Sequence, residues 1–479
     1  MHRGSLCGET NMKVSLKTLR RRDFLGSVAA GAAAVLSRPA SQVWAAQGKR
    51  LLAGEGVVDI TPPLGIELGG FHRRPGNERR VKGIRQPCAV RALVLQLGDK
   101  QVAICSLDVA AVGQEMAARI QSQVAADASI PRQDVRVCAT HTHSMPAFCF
   151  LRQWGSLPKE FMAQVEAKTV QAVRLAKADL APAEVSLGKA RAVGGNHNRT
   201  TKDYKKDDQF TKDSTDQQRW LDTMLHVLLF ERPGGKRTLA WYHFSAHPVC
   251  FADDLAGPDW PGMVAELAQK NEKLSLSFLQ GHCGDVNPGD GKNWRGDATQ
   301  TVSAIYPALR QALSKVARIK VDRLSSQTEQ FSVPLDVELW KSWLAEYQSA
   351  PSKCTSGHWV DAGFAEAWFQ DNSRRNFSDR GLPIPLSAMQ LGELAMVFHP
   401  AELYSYYGLA IRRDSPLSDT LVVGYADGII GYLADPRAYE AREYAAITVP
   451  KILDVGPFTP TAAREVTAAA LALLRRTVA

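Results

Sequence analysis

Across its 479 residues the chain is 45% hydrophobic, 22% charged and 8% aromatic, values that exclude a disordered or fibrous polypeptide and allow a large buried core. Its formal net charge is +9, but residues 1–46 hold seven Lys/Arg against two acids, a balance of +5 that leaves +4 for the rest. That remainder has short, scattered basic doublets such as Arg73-Arg74 and Lys205-Lys206 and no basic tract interleaved with aromatics, so it is not a nucleic-acid binder; a peripheral attraction to anionic membrane lipid is the most its charge predicts.

The first recognisable element is a leader. Arg20-Arg21-Arg22-Asp23-Phe24-Leu25 is followed by a weakly apolar stretch, Gly26 to Leu36, and then by small residues at Ala45 and Ala46. This is the pattern of a twin-arginine signal peptide spanning residues 1–46. The apolar stretch is short of the roughly 20 residues that cross a bilayer. We expect the twin-arginine export machinery as a partner, a periplasmic or secreted location, and a body at residues 47–479 that travels folded, a route suited to a metalloprotein.

In the body, Val57–Pro63 reads as a strand stopped by prolines, and Gly65–Arg85 as a long loop. Val90–Leu97 and Gln101–Leu107 are apolar strands around a Gly98-Asp99-Lys100 turn. Ala110–Ala126 has helical periodicity, Val135–Thr140 is another apolar strand, and Phe161–Asp179 is an amphipathic helix. Residues 200–217 are polar and read as a loop or flap. Thr238–His243 is a strand, Pro261–Lys270 a helix, Leu274–Leu279 a strand and Val302–Ala317 a helix. The pattern is strand-like over 321–335, and 350–380 reads as an insertion. Leu394–Phe398 and Leu421–Gly424 are strands, and Pro460–Arg475 is the last helix. The alternation predicts an α/β fold: one large catalytic domain with a mixed β-sheet core flanked by helices.

Eight cysteines are present, seven of them after the leader, with no C-x-x-C pair. A cysteine-based zinc site is not indicated, at least one thiol is left over, and several cysteines fall in apolar runs as small core residues.

Chemistry gathers where strands stop. At least five apolar runs end in polar, Gly- or Pro-containing segments with His, Asp or Glu, and rigid strand ends aim such residues into one crevice. His141-Thr142-His143 follows one strand, and at strand spacing its two imidazoles would share a side. Ser245-Ala246-His247-Pro248 follows a second, with Asp253, Asp254 and Asp259 nearby; Pro400-Ala401-Glu402 follows a third. Taken singly, each has an ordinary reading as a satisfied core histidine or a solvated acid.

Taken in order, these segments resemble the neutral/alkaline ceramidases. Ala139-Thr140-His141-Thr142-His143-Ser144-Met145-Pro146 is similar to that family's A-T-H-T-H-S-G-P, and Asp59-Ile60-Thr61 and Arg91-Ala92-Leu93-Val94 fit its N-terminal motifs. Asn198-Arg199-Thr200 resembles N-R-S, His247-Pro248-Val249 matches H-P-V, and Gly284-Asp285-Val286-Asn287-Pro288 follows G-D-V-S-P. Pro400-Ala401-Glu402-Leu403 matches P-G-E-F, and Gly424-Tyr425 with Tyr432 and Tyr444 follows the late tyrosine-rich segment. The resemblance implies one Zn²⁺ per chain on His141, His247, Glu402 and Tyr432, a ligand set that suits this ion. It implies catalytic parts for His143, Arg199 and Tyr432, with Asn198, Asp285 and Asn287 at the substrate. The implied reaction is cleavage of an amide bond, as in an N-acyl lipid such as ceramide, by metal-activated water.

Three departures qualify the resemblance. Asn287 stands where the family has serine, so no serine acyl-enzyme forms there; Met145 replaces a glycine; and the family's C-terminal immunoglobulin-like domain has no counterpart in these residues. Two rival readings stay open on the sequence. One is a metal-dependent esterase or phosphoester hydrolase with a second metal on Asp108 or Asp259; the other is a non-catalytic exported binding protein.

Overall fold

Three of the apolar runs, with three later ones, form parallel strand pairs. Lys100–Leu107 pairs with Val135–Ala139, Leu239–Phe244 with Leu276–Gln280, and Leu394–Phe398 with Asp419–Val423. A parallel pair cannot be closed by a tight turn, so each needs a crossover. The crossovers carry the helices Gln114–Ala128, Trp260–Asn271 and Ser405–Asp414. These coordinates are a computed structural model that describes residues 50–350 and 362–479, all within one compact unit, Lys49–Ala479. The signal-peptide reading, Cys7, Cys354 and part of the 350–380 insertion lie outside the described residues.

Each parallel pair forms one edge of a mixed sheet whose other strands are antiparallel. The first sheet continues through Ala89–Leu97 and Leu52–Asp59 to Ala181–Pro182; the second through Met224–Glu231 and Glu184–Arg191 to Ala317–Ile319; the third through Gly381–Leu391 to Leu324–Pro334. The α/β reading therefore holds, with the sheet core divided in three. One apolar cluster joins the sheets, with Leu93 and Ile104 from the first, Leu228 and Trp241 from the second, and Met396, Phe398 and Leu421 from the third. Full burial of each such large side chain contributes about 2–3 kcal/mol, which holds the three strand-end regions in one place. Helices Gln114–Ala128, Lys159–Ala178 and Ala298–Ser314 supply apolar faces to a second cluster. Among the described residues, no helix is long and apolar enough to cross a membrane.

Several boundaries differ from the sequence reading for identifiable reasons. The first strand is Leu52–Asp59, not Val57–Pro63, because Gly54 and Gly56 erase its side-chain alternation. The Gly65–Arg85 loop contains short strands at Glu67–Leu68, Arg79–Arg80 and Gly83–Ile84. The helix read from Ala110 begins at Gln114, since the preceding residues bend out of the strand and the Val109 and Ala110 carbonyls accept from His141. Gly381–Leu391 went unread because Pro383 and Pro385 look like breakers. Both fall where that strand has only one neighbour, the edge setting in which a missing N–H is tolerated. Of the seven cysteines after the leader, Cys88, Cys105, Cys138, Cys149, Cys250 and Cys283 carry free thiols, four of them buried.

Candidate active site

The six strand ends of the three parallel pairs converge. From the first pair come Ala110, His141 and His143; from the second, His247 and the 281–287 turn; from the third, Glu402, Tyr425 and Tyr432.

His141 and His143 do not lie on a strand, as the sequence reading assumed. The strand stops at Ala139, and His141 adopts a left-handed backbone (φ 69°). Such a conformation persists only where its surroundings over-determine it; here the His141 N–H donates to Val109 O (2.9 Å) and its Nδ1 to Ala110 O (2.6 Å). The two rings lie nearly perpendicular, at 88°. His143 Nδ1 donates to Gly70 O (2.5 Å), and His247 Nδ1 to Val286 O (2.9 Å).

These three carbonyls decide the site's chemistry. A carbonyl only accepts, so each Nδ1 carries the proton and each Nε2 presents a lone pair inward. The inward nitrogens of His141 and His143 are 3.2 Å apart, and ligand atoms of all three histidines lie within 4.8 Å of one another. Glu402 Oε2 adds a fourth acceptor, 3.1 Å from His247 Nε2 and 3.5 Å from His141 Nε2. The hydrogen described at this carboxylate comes from the Tyr425 hydroxyl, at 3.3 Å. Ring protonation does not neutralise the cluster: burial pulls the His141 pKa down to about 3 and those of His143 and His247 well below the usual imidazole range. Four buried acceptors facing one point are stable around a cation, and the donor set fits a divalent metal.

Tyr432 is in register with Glu402, the two residues facing each other across a short parallel pair. Its hydroxyl accepts from Arg199 Nη2 at 2.6 Å. Arg199 also donates to Gly284 O (2.8 Å) and Asn287 Oδ1 (3.3 Å). Burial opposes its charge, but Tyr432 and Glu402 outweigh burial and its pKa rises, so the guanidinium is a permanent positive charge beside the cluster. The Tyr432 phenol is pushed well above its ordinary value by burial, which Arg199 opposes, and it keeps its proton.

His141, His143, Arg199, Glu402 and Tyr432 line one cavity of about 680 Å³. Its other walls are largely apolar, including Leu151, Ile429, Val449 and Ile452. At one side His72 Nε2 accepts from Tyr444 OH (3.1 Å) and Trp154 Nε1 (3.4 Å). That is a small polar patch in an otherwise greasy wall.

The remaining sequence-designated residues sit behind this surface. Asn198 Nδ2 donates to Asp285 Oδ2 (2.8 Å) and Trp220 O (2.9 Å), and Asp285 Oδ1 accepts from the Ser405 N–H and hydroxyl (2.8 Å each). Asn198, Asp285 and Asn287 are buried and do not line the cavity; they anchor Arg199, whose N–H donates to Asp285 O at 2.8 Å. The acids considered for a second metal are engaged elsewhere. Asp108 pairs with Arg91 at 2.9 Å; Asp259, raised by burial to about 6, accepts from the Trp260 N–H at the start of a helix.

Sequence reasoning gave no role to Gly70, His72, Trp154 or Tyr425. Tyr425 stacks on His141 with ring centroids 4.0 Å apart. The Gly69-Gly70-Phe71-His72 run was the available signal: Gly70 (φ 94°) packs so closely on His143 that any Cβ would collide with it.

Residues 51–298 match the family model described as neutral/alkaline non-lysosomal ceramidase, N-terminal. The fold superposes on a crystal structure of neutral ceramidase from Pseudomonas aeruginosa with a TM-score of 0.67 at 18% identity, covering 90% of this chain and 75% of that one. It superposes equally on a ceramidase complexed with C2, with a TM-score of 0.67 at 17% identity, covering 89% and 75%. No curated protein matches.

Proposed function

The chain belongs to the neutral/alkaline non-lysosomal ceramidase family, and from that premise we propose that it hydrolyses the amide bond of an N-acyl lipid such as ceramide, with one Zn²⁺ held by His141, His247, Glu402 and Tyr432. The observation that carries the proposal is the inward convergence of unprotonated imidazole nitrogens and a carboxylate on the floor of a largely apolar cavity. When bound, the ion supplies Lewis acidity and lowers the pKa of water towards about 7.

The chain's own residues supply the rest. The apolar walls take an acyl chain and exclude water, which strengthens every charge inside. Arg199 is placed to stabilise negative charge as it develops on the carbonyl oxygen, at no reorganisation cost because Gly284 O, Asn287 and Tyr432 already hold it. His143 offers Nε2 for proton exchange, since its Nδ1 proton is tied to Gly70. Tyr432, whose hydroxyl accepts from Arg199, is the alternative to His143 as proton donor to the departing nitrogen. Asn287 precludes a serine nucleophile at its position, and this route needs none. The arginine-rich leader supports a location outside the cytoplasm, in the periplasm or medium, with a lipid or lipid-derived amide as substrate.

Metal analysis of the purified protein, with hydrolysis of N-acyl lipid before and after chelation, tests this. We expect about one zinc per chain, loss of turnover on chelation and recovery with Zn²⁺. Full turnover without a transition metal, or hydrolysis of phosphoesters in preference to amides, would overturn it.

A further inference from the structure

Asn287 is the position at which this chain departs from the serine that the resemblance leads one to expect, and both ends of its amide are engaged. Its Oδ1 accepts from Arg199 Nη1 (3.3 Å), and its Nδ2 donates to the backbone carbonyl of Trp294 (2.6 Å). The residue lies on the short strand Val286–Pro288, opposite His197 of Asn196–Asn198, so its own backbone is fixed. Trp294 and its neighbour Arg295 line the cavity, and Trp294 is 40% exposed, at the boundary between cavity and solvent. A serine hydroxyl is too short to span both partners; a planar amide, with an acceptor and a donor on opposite sides, joins them.

We infer that Asn287 is a positioning residue that ties the 289–297 loop to Arg199, so that Trp294 forms part of the chain-binding wall and selects long aliphatic substrates. The inference rests on the amide-hydrolase reading for its kinetic half only. The Asn287 bond goes to a backbone atom, so the indole can be removed without cutting the tie, and the tie can be cut without removing the indole. N287D keeps an acceptor for Arg199 but sets an oxygen against the Trp294 carbonyl; W294A deletes the wall and leaves the tie.

The test uses the full chain in wild-type, N287D, N287S, W294A and N287D/W294A forms. Limited trypsin digestion follows cleavage after Lys292 and Arg295, and KM is measured for N-acyl amides with long and with two-carbon acyl groups. We expect loop cleavage to rise at least fivefold in N287D and N287S and to change little in W294A. The ratio of long-chain KM to two-carbon KM should rise severalfold in N287D and in W294A. The double variant should be no worse than W294A alone, because the tie acts through the indole. N287S guards against a fold defect peculiar to the buried aspartate. Unchanged loop cleavage in both Asn287 variants would overturn the inference, as would additive effects on long-chain KM. If the wild type hydrolyses no amide, the functional reading fails while trypsin still reports on the tie.

Discussion

Replacing Glu402 with glutamine should make the metal-free protein more stable and the metal-loaded protein less so. Glu402 Oε2 lies 3.1 Å from His247 Nε2 and 3.5 Å from His141 Nε2, and both nitrogens carry lone pairs because their Nδ1 protons are held by Ala110 and Val286 carbonyls. Without a cation these contacts oppose acceptor to acceptor. A glutamine amide turns its NH₂ to His247 and makes one new hydrogen bond, a net gain of about 1–1.5 kcal/mol. Unfolding entropy of about 2.1 cal/mol/K per residue gives about 0.9 kcal/mol/K for a body of roughly 430 residues. In chelator, the Tm of E402Q should therefore exceed that of the wild type by about 1–2 °C. With zinc at about a thousand times Kd the wild type gains about 4 kcal/mol, or some 4–5 °C, while E402Q, short of one anionic ligand, gains much less. The two melting curves should exchange order between EDTA and Zn²⁺. Calorimetry in both buffers, with elemental analysis of each protein, reads the effect directly. An E402Q protein that melts below the wild type in chelator, or that binds a full equivalent of zinc, would refute the lone-pair account of the site.

H143A separates two ways of using the third imidazole: if His143 serves the substrate, the variant should keep its zinc and lose roughly 10²–10⁴-fold in turnover, whereas loss of the metal itself would make His143 a ligand. G70A should collide with the His143 backbone and strain a left-handed position, costing more than about 1 kcal/mol and most of the activity; a crystal structure with His143 undisplaced and full activity would count against the contact. Stability should fall on acidification. Burial lowers the pKa of His72 and His243 from 6.5 to about 4 and that of His399 to about 3, so between pH 6.5 and 4 the unfolded chain takes up protons that the folded one refuses. Each histidine should cost about 2 kcal/mol between pH 7 and pH 5 at ~1.4 kcal/mol per pH unit. Urea midpoints that hold steady or rise over that interval would contradict this.

The candidate ligands were singled out before any fold was known by their resemblance to family motifs, and each stands where an apolar run gives way to a Gly- or Pro-bearing polar segment. The alternation of strands with helices was legible because side-chain periodicity is local. Strands were lost where the local signal is blank or misleading, at Gly54 and Gly56, which show no side chain, and at Pro383 and Pro385, which stand where their strand has a neighbour on one side only. The roles of Asn198, Asp285 and Asn287 could not be read, because a polar residue facing substrate and one saturated behind an arginine have the same letter.

What the sequence determined by itself was an inventory: two histidines at i and i+2, a third after another strand, a carboxylate and a run of tyrosines. The state of those groups came from long-range packing. The carbonyls of Ala110, Gly70 and Val286 stand 31, 73 and 39 residues from the imidazoles they grip. A proton on one ring nitrogen or the other is fixed by the acceptor in reach, and packing three sheets together chooses that acceptor.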